Sequence, residues 1–333
     1  MKELSIGKLR GLQEISTEEG FITVLALDQR GSLIEAMGLE KNDPDLYAKV
    51  RDFKLETISA LLPACSAVLL DPQYSAAEAI KDNCIPGQKG LIVATEETGY
   101  VKLPDGRVNK VIPDWSLGKA KRMGASAAKL LAYYNPMIED LATQQENFIT
   151  DLAKEAAKLD LPLLLEPMSY SSDPDLPKQS AEFAKIRPEI VKTTAERLGI
   201  LGIDLLKLEF PCDVEFENDK SVWQQTCEKI SAVSQVPWVL LSAGVDFDLF
   251  KQQLEVACKS GASGFVAGRA IWKEATSLQG STRSDFLHNR AADRMKELVD
   301  IVHQFACPWK NSLKVGISAV SSGWLSQYQD IYQ

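Results

Sequence analysis

One unit recurs eight times along this chain: a short, almost wholly apolar run ends on a polar residue and is followed by a longer amphipathic stretch. The runs occupy 22–27, 67–70, 91–94, 127–133, 163–165, 203–208, 236–241 and 264–267. Apolar residues without alternation are what a strand buried on both faces requires. The stretches between them carry helical periodicity: Leu141, Phe148, Leu152 and Leu159 are spaced along one face, as are Phe250, Leu254 and Ala257, and Met295, Leu298, Val302 and Phe305. Gly124, Gly199, Gly202 and Gly261 fall where helices should stop before the next strand. Eight β–α repeats without a Gly-rich first turn predict an α/β fold, a single-domain (β/α)8 TIM barrel, rather than an open doubly wound sheet.

The barrel is expected to span residues 1–310. Residues 311–333 form a tail, packed or partly disordered, within a polar stretch from Pro308 that carries Trp309, Trp324, Tyr328 and Tyr332. Residues 99–114, rich in turn chemistry, are expected to form a loop over the barrel mouth or a hairpin.

Composition narrows the function. A formal net charge of −9 disfavours nucleic acid and anionic membranes as partners, so an anionic substrate needs a local cationic pocket. Six cysteines without C-x-x-C or framework spacing are read as buried, reduced thiols. The first fifteen residues hold no apolar signal core and no run reaches membrane-spanning length, which points to the cytoplasm. With only His288 and His303 present, a multi-histidine metal site is excluded. Strand-end carboxylates such as Asp28, Asp71, Glu96 and Glu97 leave magnesium as an alternative.

In this fold the active site lies at the C-terminal ends of the strands. The residues there are Asp28, Gln29 and Arg30; Asp71; Glu96 and Glu97; Lys129; Glu166; Lys207 and Glu209; Ser242 and Gly244; Gly268 and Arg269. Lys207 stands within an apolar strand, where an ammonium is costly and a neutral amine becomes available to attack a carbonyl. Side chains two apart share a strand face, so Glu209 is expected to point into the barrel beside Lys207. The plainer reading of both is a structural ion pair. Lys129 competes for the role of amine, because each of two neighbouring cations lowers the other's pKa. Glu166, at the mouth of an apolar strand, is expected to have its pKa raised by burial toward the range of general acid–base work; a capping or salt-bridged carboxylate is the alternative. Ser-Ala-Gly-Val at 242–245 and Ala-Gly-Arg-Ala at 267–270 stand where barrels build phosphate sites, with Arg269 as a bidentate partner for the anion.

Six motifs in order, Leu-Ala-Leu-Asp-Gln-Arg-Gly (25–31), Leu-Asp-Pro-Gln-Tyr (70–74), Glu-Glu-Thr-Gly-Tyr (96–100), Leu-Lys-Leu-Glu (206–209), Leu-Ser-Ala-Gly-Val (241–245) and Ala-Gly-Arg-Ala-Ile-Trp (267–272), resemble the class I tagatose 1,6-bisphosphate aldolase family over roughly residues 15–310. The resemblance implies a metal- and cofactor-independent lyase of carbohydrate metabolism, in lactose and galactose catabolism, that reversibly splits a ketohexose bisphosphate, tagatose 1,6-bisphosphate, into dihydroxyacetone phosphate and glyceraldehyde 3-phosphate. The family's Schiff-base lysine falls on Lys207 and its acid–base glutamate on Glu166. Asp28, Gln29 and Lys129 match the sugar site; Ser242, Gly244, Gly268 and Arg269 match the phosphate loops. Barrel aldolases commonly form dimers or tetramers, and a homo-oligomer is the expectation. Sulfofructose 1-phosphate aldolases share several of the motifs and stand as the alternative. A phosphosugar-sensing regulatory protein would keep the anion site without needing Lys207 and Glu166, and a barrel isomerase or decarboxylase would keep the phosphate loops without an imine.

Overall fold

The eight apolar runs become eight parallel strands closed on themselves. A computed structural model describes residues 3–103, 106–173 and 175–328. Its strands in chain order are β1 (Ile22–Leu27), β2 (Ala67–Leu70), β3 (Gly90–Ala94), β4 (Val101–Leu103), β5 (Gly106–Val108), β6 (Ala127–Tyr133), β7 (Leu163–Met168), β8 (Leu205–Leu208), β9 (Trp238–Leu241) and β10 (Gly264–Ala267). Round the barrel the order is β1, β10, β9, β8, β7, β6, β3, β2, while β4 and β5 form a separate antiparallel pair. The stretch after the third barrel strand is therefore a hairpin; residues 104–105 of it lie outside the described residues.

The pleat sorts side chains into two cores. One parity packs outward against the helices, with Leu25, Leu130, Leu165, Leu206 and Leu240 in the large cluster. The other parity fills the barrel: Val24, Ala26, Leu69, Ile92, Ala127, Leu164, Leu205, Val239 and Val266 form a second cluster with Leu4, Leu12, Ile15 and Trp309. Those last four cork the lower end, brought there by the N-terminal helix Ile6–Glu14 and the start of the tail. The tail's described part packs on this end. Trp309 is fully buried, its indole N–H donates to Ser16 Oγ (3.2 Å), and Leu4 bridges Ile317 in parallel. Tyr332 lies outside the described residues.

Helix stripes follow the expected periodicity with one shift. Phe250, Leu254 and Ala257 are buried, as are Met295, Leu298 and Val302. On the helix Glu139–Lys158, however, the buried stripe runs Ala142, Gln145, Ile149, Leu152, Ala153, Ala156, and Leu141 and Phe148 are only half-buried. Alanines let the helix approach the sheet closely, so they, not the larger residues beside them, define its inner line. The six cysteines are unpaired, and Cys65, Cys212, Cys227 and Cys258 are buried. No described helix is long and apolar enough to cross a membrane.

Closure between the first and last strands depends on Gly264. It holds φ at +135°, and a Cβ there would stand 1.9 Å from the Ile22 carbonyl oxygen. Both the backbone conformation and the close approach exclude a side chain. Gly264→Ala is therefore expected to lower stability by about 2–4 kcal/mol, read as a reduced urea midpoint.

Candidate active site

Five of the inward-facing apolar residues are followed, two positions later on the same strand face, by a residue of the mouth. Asp28 stands above Ala26, Lys129 above Ala127, Glu166 above Leu164, Lys207 above Leu205 and Gly268 above Val266. The apolar plug thus carries a layer of charge, and water reaches it only from above. These residues line a cavity of about 330 Å3 together with Gln29, Arg30, Glu96, Tyr133, Ser242 and Arg269. A larger hollow, about 860 Å3, lies at the opposite end against Glu14, Lys89 and Trp309, and none of the convergent acid and base groups reaches it. The smaller cavity lies at the end of the barrel where this architecture places its active sites.

Its centre is Lys129, whose ammonium lies 2.8 Å from Asp28 Oδ2, Glu96 Oε1 and Glu166 Oε2. Glu166 spans both lysines, its other oxygen 2.8 Å from Lys207 Nζ. Burial alone would discharge Lys129, but Asp28, Glu166 and Glu96 together hold its pKa well above the ordinary lysine value. Burial likewise favours protonated carboxyls, and is outweighed: Lys129 and Lys207, with Lys54 behind, hold Asp28 well below the usual carboxylate range. Glu166 is also lowered, since Lys129 and Lys207 outweigh its burial and the repulsion of Asp28. The expected upward shift of Glu166 is thereby corrected; two cations in contact prevail over desolvation, so Glu166 is ionised in the resting site.

Glu209 does not join this group. It follows the last residue of β8 and turns to Lys178 Nζ (2.6 Å) and the Ser169 hydroxyl (2.6 Å). The anticipated pairing of Glu209 with Lys207 is replaced by Lys207–Glu166 and Lys178–Glu209. Asp71 also leaves the mouth. Its carboxylate accepts from Lys54, from the Ser75 hydroxyl (2.7 Å) and from the Gln73 and Tyr74 amides, and Lys54 in turn donates to the Leu27 carbonyl (2.8 Å) just before Asp28. Glu97 is exposed at the rim. Among the described residues no group of three or more His, Cys, Asp or Glu is arranged to hold a metal ion, and the carboxylates that converge do so on Lys129 Nζ.

Across the cavity, Ala243 and Gly244 both adopt positive φ (+48° and +84°). This turn brings Gly244 against Arg269: a Cβ at 244 would stand 3.3 Å from the guanidinium carbon. Gly268 permits a close approach to the first strand: a Cβ there would stand 2.2 Å from the Ala26 carbonyl oxygen. Arg269 has no ion-pair partner among the described residues. Two acceptors in the wall, Asp28 Oδ1 and Gln29 Oε1, are buried without a hydrogen-bond partner.

Sequence reasoning placed Glu96 at a strand end, as a possible magnesium ligand or a carboxylate hydrogen-bonded to lysines or substrate hydroxyls, without naming its partner. The register that could have found its role is Ala94 paired with Lys129 on the neighbouring strand, which puts the next inward residue after Ala94 beside the ammonium. Arg30, named only as a strand-end residue, is buried and donates to the Glu96 carbonyl (2.6 Å).

The network has a pH signature. Asp28 and Glu166, with lowered pKa values, contribute stability that is present above about pH 4 and lost as pH falls through those lowered values. Lys129, with a raised value, contributes stability below the ordinary lysine pKa that is lost as pH rises through the raised one. Lys129→Met is expected to cost about 3–5 kcal/mol at pH 7 by leaving buried carboxylates unpaired. The loss should shrink at pH 4.5, where those carboxylates can take up protons; urea denaturation at the two pH values measures the difference, and a pH-independent loss would contradict the pairing.

Comparison with known proteins agrees with this architecture. The model of the DeoC/LacD family aldolases matches residues 22–274. Tagatose 1,6-diphosphate aldolase 2 of Enterococcus faecalis is 32% identical, covering 95% of this chain and 99% of its own. Tagatose 1,6-diphosphate aldolase of Staphylococcus epidermidis is 30% identical, covering 91% and 98%. Among solved structures, an archaeal fructose 1,6-bisphosphate aldolase shares the fold with a TM-score of 0.59 at 18% identity, over 90% of this chain and 99% of that one. With the family model covering most of the barrel and relatives aligned nearly end to end, the chain belongs to the DeoC/LacD aldolase family.

Proposed function

We propose that this aldolase cleaves tagatose 1,6-bisphosphate through an imine on Lys207, releasing dihydroxyacetone phosphate and glyceraldehyde 3-phosphate. The observation that carries the choice of amine is the unequal sharing of carboxylates. Lys129 is in contact with three and is held as an ammonium; among the described residues Lys207 forms an ion pair with Glu166 alone. The substrate class follows from the tagatose 1,6-diphosphate aldolases to which the chain is similar, and from the unpaired Arg269 beside the Ser242–Gly244 turn, which suits a terminal phosphate.

The Lys207–Glu166 contact supports a complete proton circuit. Glu166 takes a proton from the Lys207 ammonium, and the neutral amine attacks the ketose C2 carbonyl, one nitrogen proton passing to the oxygen as the carbinolamine forms. Glu166 returns its proton to the departing hydroxyl, water leaves and the iminium remains. The carboxylate then removes the C4 hydroxyl proton; the C3–C4 bond breaks, its electrons flow to the iminium nitrogen, and the aldehyde departs. Glu166 protonates C3 of the enamine, and water hydrolyses the new iminium to dihydroxyacetone phosphate and the free lysine. Asp28 Oδ1 and Gln29 Oε1, the two acceptors without partners, are positioned to receive sugar hydroxyls. Lys129 holds Asp28 and Glu166 in place.

Borohydride reduction in the presence of dihydroxyacetone phosphate and EDTA is expected to leave a covalent adduct on the peptide containing Lys207. Lys207→Met should abolish the adduct and lower kcat roughly 10^3-fold or more, and Glu166→Gln should lower kcat by about 10^2–10^4 while leaving the protein folded. An adduct on Lys129, or wild-type turnover by Lys207→Met, would overturn the assignment.

A further inference from the structure

The hairpin of β4 and β5 carries a cation that the chemistry above does not use. Arg107 lies on a platform of three tyrosine rings, its guanidinium carbon 4.4 Å from the centroid of Tyr100, 5.3 Å from Tyr170 and 5.4 Å from Tyr133. It has no ion-pair partner among the described residues. Stacking engages the face of a guanidinium and leaves its in-plane N–H groups able to donate, so Arg107 is held without being satisfied.

Its backbone is fixed as well. Gly106 packs so closely on Tyr170 that a Cβ would stand 2.4 Å from the phenol oxygen. The Arg107 amide donates to that same oxygen (3.5 Å), its carbonyl accepts from Gln145 Nε2 (3.5 Å), and Asn109 Oδ1 receives the Tyr133 amide (2.6 Å). The hairpin is thus fastened to the ends of β6 and β7, and Tyr133 belongs both to the platform and to the cavity wall.

Barrel order says where this cation sits relative to a substrate. From β10 the walls pass through β9, β8 and β7 to β6, which stands opposite β10. A ketose whose near phosphate rests on the loops after β9 and β10, with its carbonyl over Lys207 on β8 and its C4 hydroxyl over Glu166 on β7, directs its remaining carbons toward β6 and the hairpin. That wall is acidic, carrying Glu96 and Glu97. Its buried cations are already engaged, Lys129 by Asp28, Glu96 and Glu166, and Arg30 by the Glu96 carbonyl and carboxylate and by Gln73. A second anion arriving there needs a cation that is not already paired.

We propose that Arg107 is the specificity-determining residue for the far anion of the substrate, the group on C6 of a ketose 1,6-bisphosphate. The inference rests on the bisphosphate reading above and adds a residue to it. Arg107 does no chemistry. It sets which ketoses are held across the mouth, and the tyrosine platform keeps its long side chain extended before the substrate arrives, reducing the ordering required on binding.

The test compares one reaction that needs both anions with one that needs only the near one. For wild type, Arg107→Ala and Arg107→Lys, KM and kcat are measured for tagatose 1,6-bisphosphate cleavage, alongside the dihydroxyacetone phosphate concentration that half-saturates borohydride trapping. Arg107→Ala is expected to raise the bisphosphate KM about tenfold or more relative to its effect on the half-saturation for dihydroxyacetone phosphate, with Arg107→Lys intermediate. An unchanged KM overturns the proposal. Equal losses in both measurements also overturn it, because they would show that Arg107 only props the hairpin. The KM comparison reads Arg107 whichever lysine carries the imine, so the assignment of Lys207 and that of Arg107 fail separately.

Discussion

Three carboxylates converging on one ammonium set the terms for everything else at the barrel mouth. Without Lys129, Asp28, Glu96 and Glu166 would be buried anions within reach of one another, and at least part of the set would have to protonate or move apart. With it, each acid has a fixed direction: Glu96 also caps the Leu131 amide (3.0 Å) and Glu166 reaches across to Lys207. The same contacts divide the labour between two lysines that look equivalent in sequence. One is immobilised as a permanent cation, and the other is left with a single partner that can take its proton.

The plug beneath makes this arrangement matter. Ala26, Ala127, Leu164, Leu205 and Val266 fill the barrel immediately below the charged layer, and Leu4, Leu12, Ile15 and Trp309 seal the end below them. An ion pair in such surroundings is screened far less than one at the surface. Buried ion pairs often add little net stability, so the network is better understood as holding geometry than as holding the fold together. The fold itself rests on the two apolar cores that the strand parity separates.

Much of this was legible in the order of residues. Apolar runs without alternation announced strands buried on both faces, and their eightfold recurrence announced closure. Strand parity put Lys129, Glu166 and Lys207 at the mouth. The failures occur where a lysine from outside the barrel strands captures a strand-end carboxylate. Glu209 is only two residues from Lys207, but it answers to Lys178 and Ser169 instead. Asp71 is captured by a lysine from the helix Leu46–Leu61 that no strand pattern reveals. The direction of the Glu166 shift required knowing that two cations touch it, a fact of the assembled barrel. Arg107 was hidden more deeply, since its value lies in three tyrosines drawn from separate segments.

The shared carboxylate between Lys129 and Lys207 has a consequence for how the site tolerates turnover. When Lys207 passes from ammonium to iminium, the nitrogen carries one positive charge before and after, and the proton that Glu166 takes up is handed on to the departing water. In the proposed cycle the sum of charge over the layer is therefore the same at the resting and iminium stages. The barrel mouth can accommodate such a sequence without recruiting counter-ions at each step, because nothing in its electrical balance has to be rebuilt.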